Sequence, residues 1–173
     1  MKPEELRKMI RDIPDFPKPG IIFRDITPLI GDARGFAAVV DQLATPFLGA
    51  VDAVLGIESR GFIVGAPVAY RLGVGLTIAR KPGKLPYETF EEPYELEYGT
   101  TSLFMHRDGI NRGARVLIVD DLLATGGTAS AAEHLVRRVG GTVVGAAFII
   151  ELRGLKGRQQ LLPVNTFSLI QYD

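Results

Sequence analysis

Four short, mostly apolar runs, rich in β-branched side chains, punctuate the chain at 51–57, 74–79, 114–119 and 143–150. Near-continuous apolarity over such short lengths, in place of alternation, predicts strands buried on both faces. Between these runs, residues 61–72 and 128–139 carry apolar positions at helical spacing. In the second, Ala132, Leu135, Val136 and Val139 mark a single stripe. Strand, helix, strand, repeated, predicts an α/β fold with a mostly parallel central sheet flanked by helices. An earlier helix is expected over 34–48 and a short one over 3–11. Two stretches read as irregular: 13–27, rich in proline, and 81–93, with three prolines and dense charge. Ligands of open parallel sheets gather beyond the carboxyl ends of the strands, so the loops after residues 57, 79, 119 and 150 are where chemistry is expected.

Composition narrows the classes. The chain has 173 residues, 20 basic and 20 acidic side chains, 46% hydrophobic residues, and neither cysteine nor tryptophan. A chain of this length buries roughly 70% of the surface its unfolded form exposes, enough for one domain over 1–173 without covalent staples. The absence of cysteine excludes thiol catalysis, iron–sulfur clusters, cysteine-ligated zinc and disulfide frameworks. Zero formal net charge supplies no long-range field for a nucleic-acid backbone, so no nucleic-acid partner is expected. The first residues alternate charge without the apolar run of a signal peptide. The longest charge-free apolar stretch, 139–150, is broken by Gly140, Gly141 and Gly145 and falls short of the ~20 residues that span a bilayer. No membrane association and a cytoplasmic setting are therefore expected.

The strongest chemical signal is Val116-Leu117-Ile118-Val119-Asp120-Asp121-Leu122-Leu123-Ala124-Thr125-Gly126-Gly127-Thr128. Four buried aliphatics deliver two adjacent carboxylates at a strand end, and a turn of small residues then opens a helix. Gly126 and Gly127 let backbone N–H groups converge, Thr125 and Thr128 add hydroxyl donors, and the helix start is the positive end of a dipole, which together make an anion cradle. A carboxylate accepts from both hydroxyls of a vicinal diol, so phosphate on one side and diol on the other point to a ribose phosphate. Aliphatics followed by acids also mark the magnesium-binding strand of nucleotide triphosphatases. That reading needs a G-x-x-x-x-G-K-[ST] loop, and here Gly83-Lys84 is followed by Leu85. A purely structural glycine turn is the bland alternative.

With this element the chain resembles the type I phosphoribosyltransferases, nearest to members that act on adenine. Four other regions carry the likeness across nearly the whole chain: Phe16 to Pro28 resembles the family's hood and Gly56-Ile57-Glu58-Ser59-Arg60-Gly61-Phe62 its pyrophosphate loop. Arg80 to Pro86 through Glu95 to Gly99 resembles its mobile catalytic loop, and Leu155-Lys156-Gly157-Arg158 with Phe167 to Tyr172 its carboxyl-terminal segment. The resemblance implies a hood mainly over 13–30 with carboxyl-terminal contributions, a β-ribbon lid at about 81–99, and a homodimer. It also implies the reaction of adenine with phosphoribosyl pyrophosphate, giving AMP and pyrophosphate, with Mg²⁺ held mainly by substrate. A non-proline cis peptide is implied in the Ser59-Arg60 segment, between Glu58 and Gly61.

These regions suit that chemistry. Pyrophosphate leaves the anomeric carbon as a base nitrogen attacks, and its charge must be neutralised. Arg60, Lys81 and Lys84 lie on loops at strand ends and fit that task together with Mg²⁺. Glu58, Ser59 and Arg80 complete the expected pyrophosphate site, with Arg60 also a catalytic candidate. Glu97 is the leading acid–base candidate, since the alternation in Glu95-Leu96-Glu97-Tyr98 suggests the closing half of a ribbon lid. The resemblance places Glu97 at the purine imidazole edge and Tyr98 nearby. The other reading is that Glu91, Glu92, Glu95 and Glu97 form a solvated acidic face. Adenine offers an amino donor beside a ring acceptor, which matches the carbonyl and N–H of one extended residue. By resemblance, Ile22 and Arg24 bind the base through their backbones while Phe23 and Leu152 pack on its ring. A 6-oxopurine leaves that carbonyl unpaired. Two alternatives remain at this stage: a 6-oxopurine enzyme, against which the hood argues, and a non-enzymatic regulator of the same fold. His106 and His134 have no partner spacing for a metal or a triad and are read as non-catalytic.

Overall fold

A computed structural model describes residues 1–95 and 99–173. In chain order, α1 (Pro3–Arg7) leads into the strands β1 (Arg11–Pro14) and β2 (Ile22–Asp25), followed by α2 (Thr27–Gly31), α3 (Ala33–Ala44) and a 3-10 turn at Thr45–Phe47. Then come β3 (Ala53–Ile57), α4 (Arg60–Leu72), β4 (Gly75–Arg80), β5 (Thr89–Glu95), β6 (Thr100–His106), β7 (Arg115–Leu123), α5 (Gly127–Val139) and β8 (Thr142–Leu152). Two 3-10 turns, Arg153–Leu155 and Gly157–Leu161, precede β9 (Thr166–Tyr172).

Seven strands form the main sheet in the order β5-β6-β4-β3-β7-β8-β9. β3, β4, β7, β8 and β9 pair in parallel, whereas β6 runs antiparallel to both β4 and β5. The apolar runs are buried on both faces, as their lack of alternation requires. Leu117 and Val119 of β7 face a core with Val39, Leu43, Val64 and Val68 of α3 and α4. Val116 and Ile118 face the opposite core with Ala132, Leu135 and Val136 of α5. Register then gathers the strand ends: Ile57 pairs with Ala79 and Gly56 with Val119, which brings Glu58, Arg80 and Asp120 to one edge.

Several local expectations are corrected. The first helix ends at Arg7, not residue 11, because Arg11 opens β1. α3 ends at Ala44, and the Pro46 turn that follows is 3-10. The stretch 13–27 is not irregular: β1 and β2 pair antiparallel, Arg11 with Asp25 through Pro14 with Ile22, and α2 begins at Thr27. Asp15 closes that ribbon by accepting from Gly20 N–H at 2.7 Å, a link no local pattern shows. Part of 81–93 is strand β5, and β5 pairs over its length with β6, Thr89 with His106 through Glu95 with Thr100. β6 and β9 were not foreseen as strands, since β6 carries mostly polar residues at its start and β9 gains its order by parallel pairing with β8. The acidic doublet lies within β7, which continues to Leu123, two residues beyond Asp121. Among the described residues no helix is long and apolar enough to cross a membrane.

Candidate active site

The turn expected to cradle an anion follows the end of β7. The turn Ala124–Gly127 passes into α5, with Gly126 at the N-cap in the left-handed region, φ 88°. The first backbone N–H groups of α5 and the hydroxyls of Thr125 and Thr128 border a cavity of about 330 Å³. Asp120, Asp121, Ala124, Gly126 and Gly127 share that wall, and Glu58, Ser59, Arg60 and Lys81 border it from the loops after β3 and β4. Three of the loops singled out by the strand-end argument therefore meet at one cavity.

The charges in the cavity are paired in a particular way. Arg60, in the first turn of α4, donates through Nε to Asp121 Oδ2, and its guanidinium carbon stands 5.3 Å from the centre of the Phe23 ring. Asp121 N–H donates to Asp120 Oδ1 at 2.9 Å. Burial, followed by the neighbouring Asp121 charge, pushes the Asp120 carboxyl well above its ordinary value. Glu58 accepts from Arg80 Nη2 at 3.1 Å and Nε at 3.3 Å, and from the Lys81 N–H at 2.9 Å. Burial opposes ionisation of Glu58, but the bonds from Arg80 and Lys81 outweigh it and hold the carboxyl below its usual value. Arg80 also donates to the Lys84 carbonyl at 3.1 Å, and Lys84 is not among the residues that border the cavity. Glu58 thus fastens the start of the 81–88 loop, with its carboxylate turned to Arg80. A non-proline peptide is cis here, as the resemblance implied, and it is the Glu58–Ser59 bond that leads into the Ser59-Arg60 segment.

A second, more apolar cavity of about 740 Å³ adjoins the first. Ile21, Ile22 and Arg24 of the amino-terminal ribbon and Leu152 and Leu155 of the carboxyl-terminal segment border it. Ala124, Thr125 and Thr128 border both cavities. Phe23 is placed differently from Ile22 and Arg24: its ring packs edge-on against Phe16 at 5.2 Å and toward Arg60, and it does not border the apolar cavity. The Arg24 side chain pairs with Asp12 and lies over the Tyr172 ring at 4.0 Å.

The acidic tract splits by strand alternation. Glu91 and Glu95 of β5 are exposed, while Glu92 turns toward α5 and accepts from His134 Nδ1 at 2.9 Å. Tyr94, on the same inward side as Phe90 and Glu92, borders the anion cavity. Sequence reasoning passed over Tyr94, although period-two alternation from Phe90 marks it. Leu155, Gly154 and Asp173 at the apolar cavity were also missed, being brought there by chain returning from β8 and β9. Glu97 and Tyr98 lie outside the described residues. Among the described residues, no group of three or more His, Asp or Glu side chains is placed to hold a metal ion.

The phosphoribosyl transferase domain family matches residues 28–172. An adenine phosphoribosyltransferase of Roseiflexus is 57% identical over 168 residues, covering 96% of this chain and 98% of that protein. Its counterpart in Chloroflexus aurantiacus is 56% identical over 173 residues, covering 99% of this chain and 100% of the other. The crystal structure of adenine phosphoribosyltransferase from Thermoanaerobacter pseudethanolicus superposes with a TM-score of 0.96 at 52% identity, covering 99% of this chain and 100% of that one. The Saccharomyces cerevisiae enzyme, complexed with adenine and an imino-altritol bisphosphate, does so with a TM-score of 0.91 at 38% identity over 97% and 98%.

Proposed function

The chain belongs to the phosphoribosyl transferase domain family, and from that premise we infer that it is an enzyme transferring the 5-phosphoribosyl group of phosphoribosyl pyrophosphate to adenine. The products are AMP and pyrophosphate, a purine salvage reaction. The observation that carries this reading is the wall of Ala124, Thr125 and Thr128 shared by an anion cradle and an apolar cavity. A nucleoside monophosphate needs that adjacency: phosphate on one side, flat apolar ring on the other.

The proposed roles follow from charge and position. The Ala124–Gly127 turn, Thr125, Thr128 and the amino end of α5 hold the 5′-phosphate. Asp120 and Asp121 border the space left for the ribose hydroxyls. Arg60 and Lys81 face the departing pyrophosphate, with Ser59 beside them, and stabilise negative charge as the bond to the anomeric carbon breaks. Arg80 serves by holding Glu58, which sets the path of the Lys81 backbone. Lys84 belongs to the same loop. The backbones of Ile22 and Arg24 present donor and acceptor to the adenine edge, and Leu152 packs on the ring. Phe23 supports the cavity through Arg60. Glu97 takes the proton that the attacking imidazole nitrogen gives up, with Tyr98 beside it.

Mg²⁺ would be held mainly by the phosphates of the substrate. It supplies Lewis-acid stabilisation of the pyrophosphate oxygens. The hood formed by β1 and β2, the lid region about 81–99 and the core are read as parts of one domain. A homodimer is part of the reading, supported by Ile63, Tyr70 and Leu76, which are 46%, 89% and 42% exposed along α4 and β4. A cytoplasmic setting accords with a chain lacking cysteine.

The test is a purine panel: adenine, hypoxanthine, guanine and xanthine, each with phosphoribosyl pyrophosphate and Mg²⁺, followed by ultraviolet absorbance and by separation of products. Adenine is expected to yield AMP, with the 6-oxopurines left unconverted. Turnover of a 6-oxopurine in place of adenine, or binding of the donor without any turnover, overturns the reading.

A further inference from the structure

We propose that Glu151 and Arg158 are positioning residues for the phosphate-binding turn, acting through Gly157. The proposal rests on the role given above to residues 124–128. Glu151, in β8, is 5% exposed. Arg158 stands in the 3-10 turn Gly157–Leu161. Its Nε donates to Glu151 Oε1 at 3.1 Å, its Nη2 to Glu151 Oε2 and, at 3.4 Å, to Ser168 Oγ, and its Nη1 to the Thr166 carbonyl. One planar fork therefore ties the turn to β8 and to β9. Neither residue borders either cavity, and all three guanidinium nitrogens face protein acceptors. The cation consequently acts on position and not on a bound phosphate.

The link to the site is backbone contact. A Cβ built on Gly126 would lie 2.4 Å from the Gly157 carbonyl oxygen. One built on Gly157 would lie 2.1 Å from the Ala124 oxygen and 2.9 Å from the Gly126 nitrogen. The two segments touch with no side chain between them, so the height of Gly157 fixes the height of residues 124–126. At the other end of the turn, Leu161 is 3% exposed and packs into the α5 side of the core. Leu161 thus anchors one end of the support and Arg158 the end beside the cradle. Glu151 is held ionised, chiefly by its bonds to Arg158 against the opposing effect of burial, so the pair persists at neutral pH.

Two variants test this. Arg158→Lys keeps a positive charge but cannot reach Glu151, Ser168 and Thr166 together. Glu151→Gln keeps the side-chain shape, removes the charge and turns one acceptor into a donor. Both are measured for AMP and adenine binding by calorimetry, for KM toward phosphoribosyl pyrophosphate, and for folding by circular dichroism. A displaced cradle is expected to weaken AMP and raise the donor KM by roughly 10- to 100-fold while adenine affinity changes by about fivefold or less, because of residues 124–126 only Ala124 and Thr125 also border the apolar cavity. Wild-type AMP affinity in either folded variant overturns the proposal. So does a parallel loss of AMP and adenine affinity, the signature of general loosening. If Arg158→Lys does not fold, Glu151→Gln decides alone. Failure of the wild-type protein to bind AMP would instead count against the functional reading itself.

Discussion

Arg60 and Asp121 meet where α4 begins and β7 nears its end, the guanidinium Nε–H donating to a carboxylate that is 7% exposed while the arginine side chain is 39% exposed. The anion is enclosed and its cation looks into the cavity. With Phe23 5.3 Å from the same guanidinium, Arg60 touches the amino-terminal ribbon as well. Arg60→Ala leaves a buried carboxylate without its partner. Since Arg60 is partly solvated, the stability loss is expected to be roughly 1–2 kcal/mol. Turnover is expected to fall about 10²- to 10³-fold. Thermal unfolding and steady-state kinetics on one preparation check both, and full turnover would separate Arg60 from the leaving group.

Asp120 gives a pH dependence of defined sign. In the unfolded chain it ionises near 3.8, whereas in the folded protein burial and Asp121 hold it well above that. The folded state thus keeps a proton that the unfolded state has released, and the residue costs stability once pH rises through the unfolded value. Asp120→Asn retains an acceptor for the Asp121 N–H and carries no charge. The variant is expected to melt above wild type at about pH 7 to 8, with the advantage vanishing below about pH 4. It is also expected to lose turnover. Equal melting temperatures at the upper end would contradict this account of Asp120.

The proton-transfer role proposed for Glu97 rests on sequence grounds. Glu97→Ala is expected to lower turnover by about 10²- to 10⁴-fold with the melting temperature unchanged. Single-turnover kinetics with adenine locate the loss in the chemical step. A variant as fast as wild type would remove Glu97 from the mechanism.

The exposed apolar face of α4 supplies a test of assembly. Tyr70, 89% exposed, makes little contribution to the folding of a single subunit. Tyr70→Glu is expected to convert a dimer into folded monomers in sedimentation velocity, because a charge buried at a self-complementary contact lacks a partner. Unaltered sedimentation would place the contact elsewhere.

What the sequence discloses here is what local chemistry determines. Val116 to Val119 must be buried on both faces, and the small residues Thr125-Gly126-Gly127-Thr128 must open a helix; both were legible without coordinates. The 89–106 ribbon was only half legible, because β5 and β6 gain order from pairing with each other and from β4, and their polar residues show no apolar run. Glu58 reads from sequence as a pyrophosphate ligand. Its hold on Arg80 depends on parallel register between β3 and β4, which brings residues 22 positions apart within 3.1 Å. Gly157 is less legible still, since a glycine required by backbone contact with Ala124 looks like any other in a loop.

The wall formed by Ala124, Thr125 and Thr128 has a pharmacological corollary. On the proposed function one short segment faces both compartments, so a compound tethering a planar heterocycle to an anionic head spans them across a single wall. Each half, once seated, presents the other at an effective concentration set by the tether, so avidity grows without new contacts. Tether length, more than the strength of either half, then governs how tightly such a bivalent inhibitor is retained.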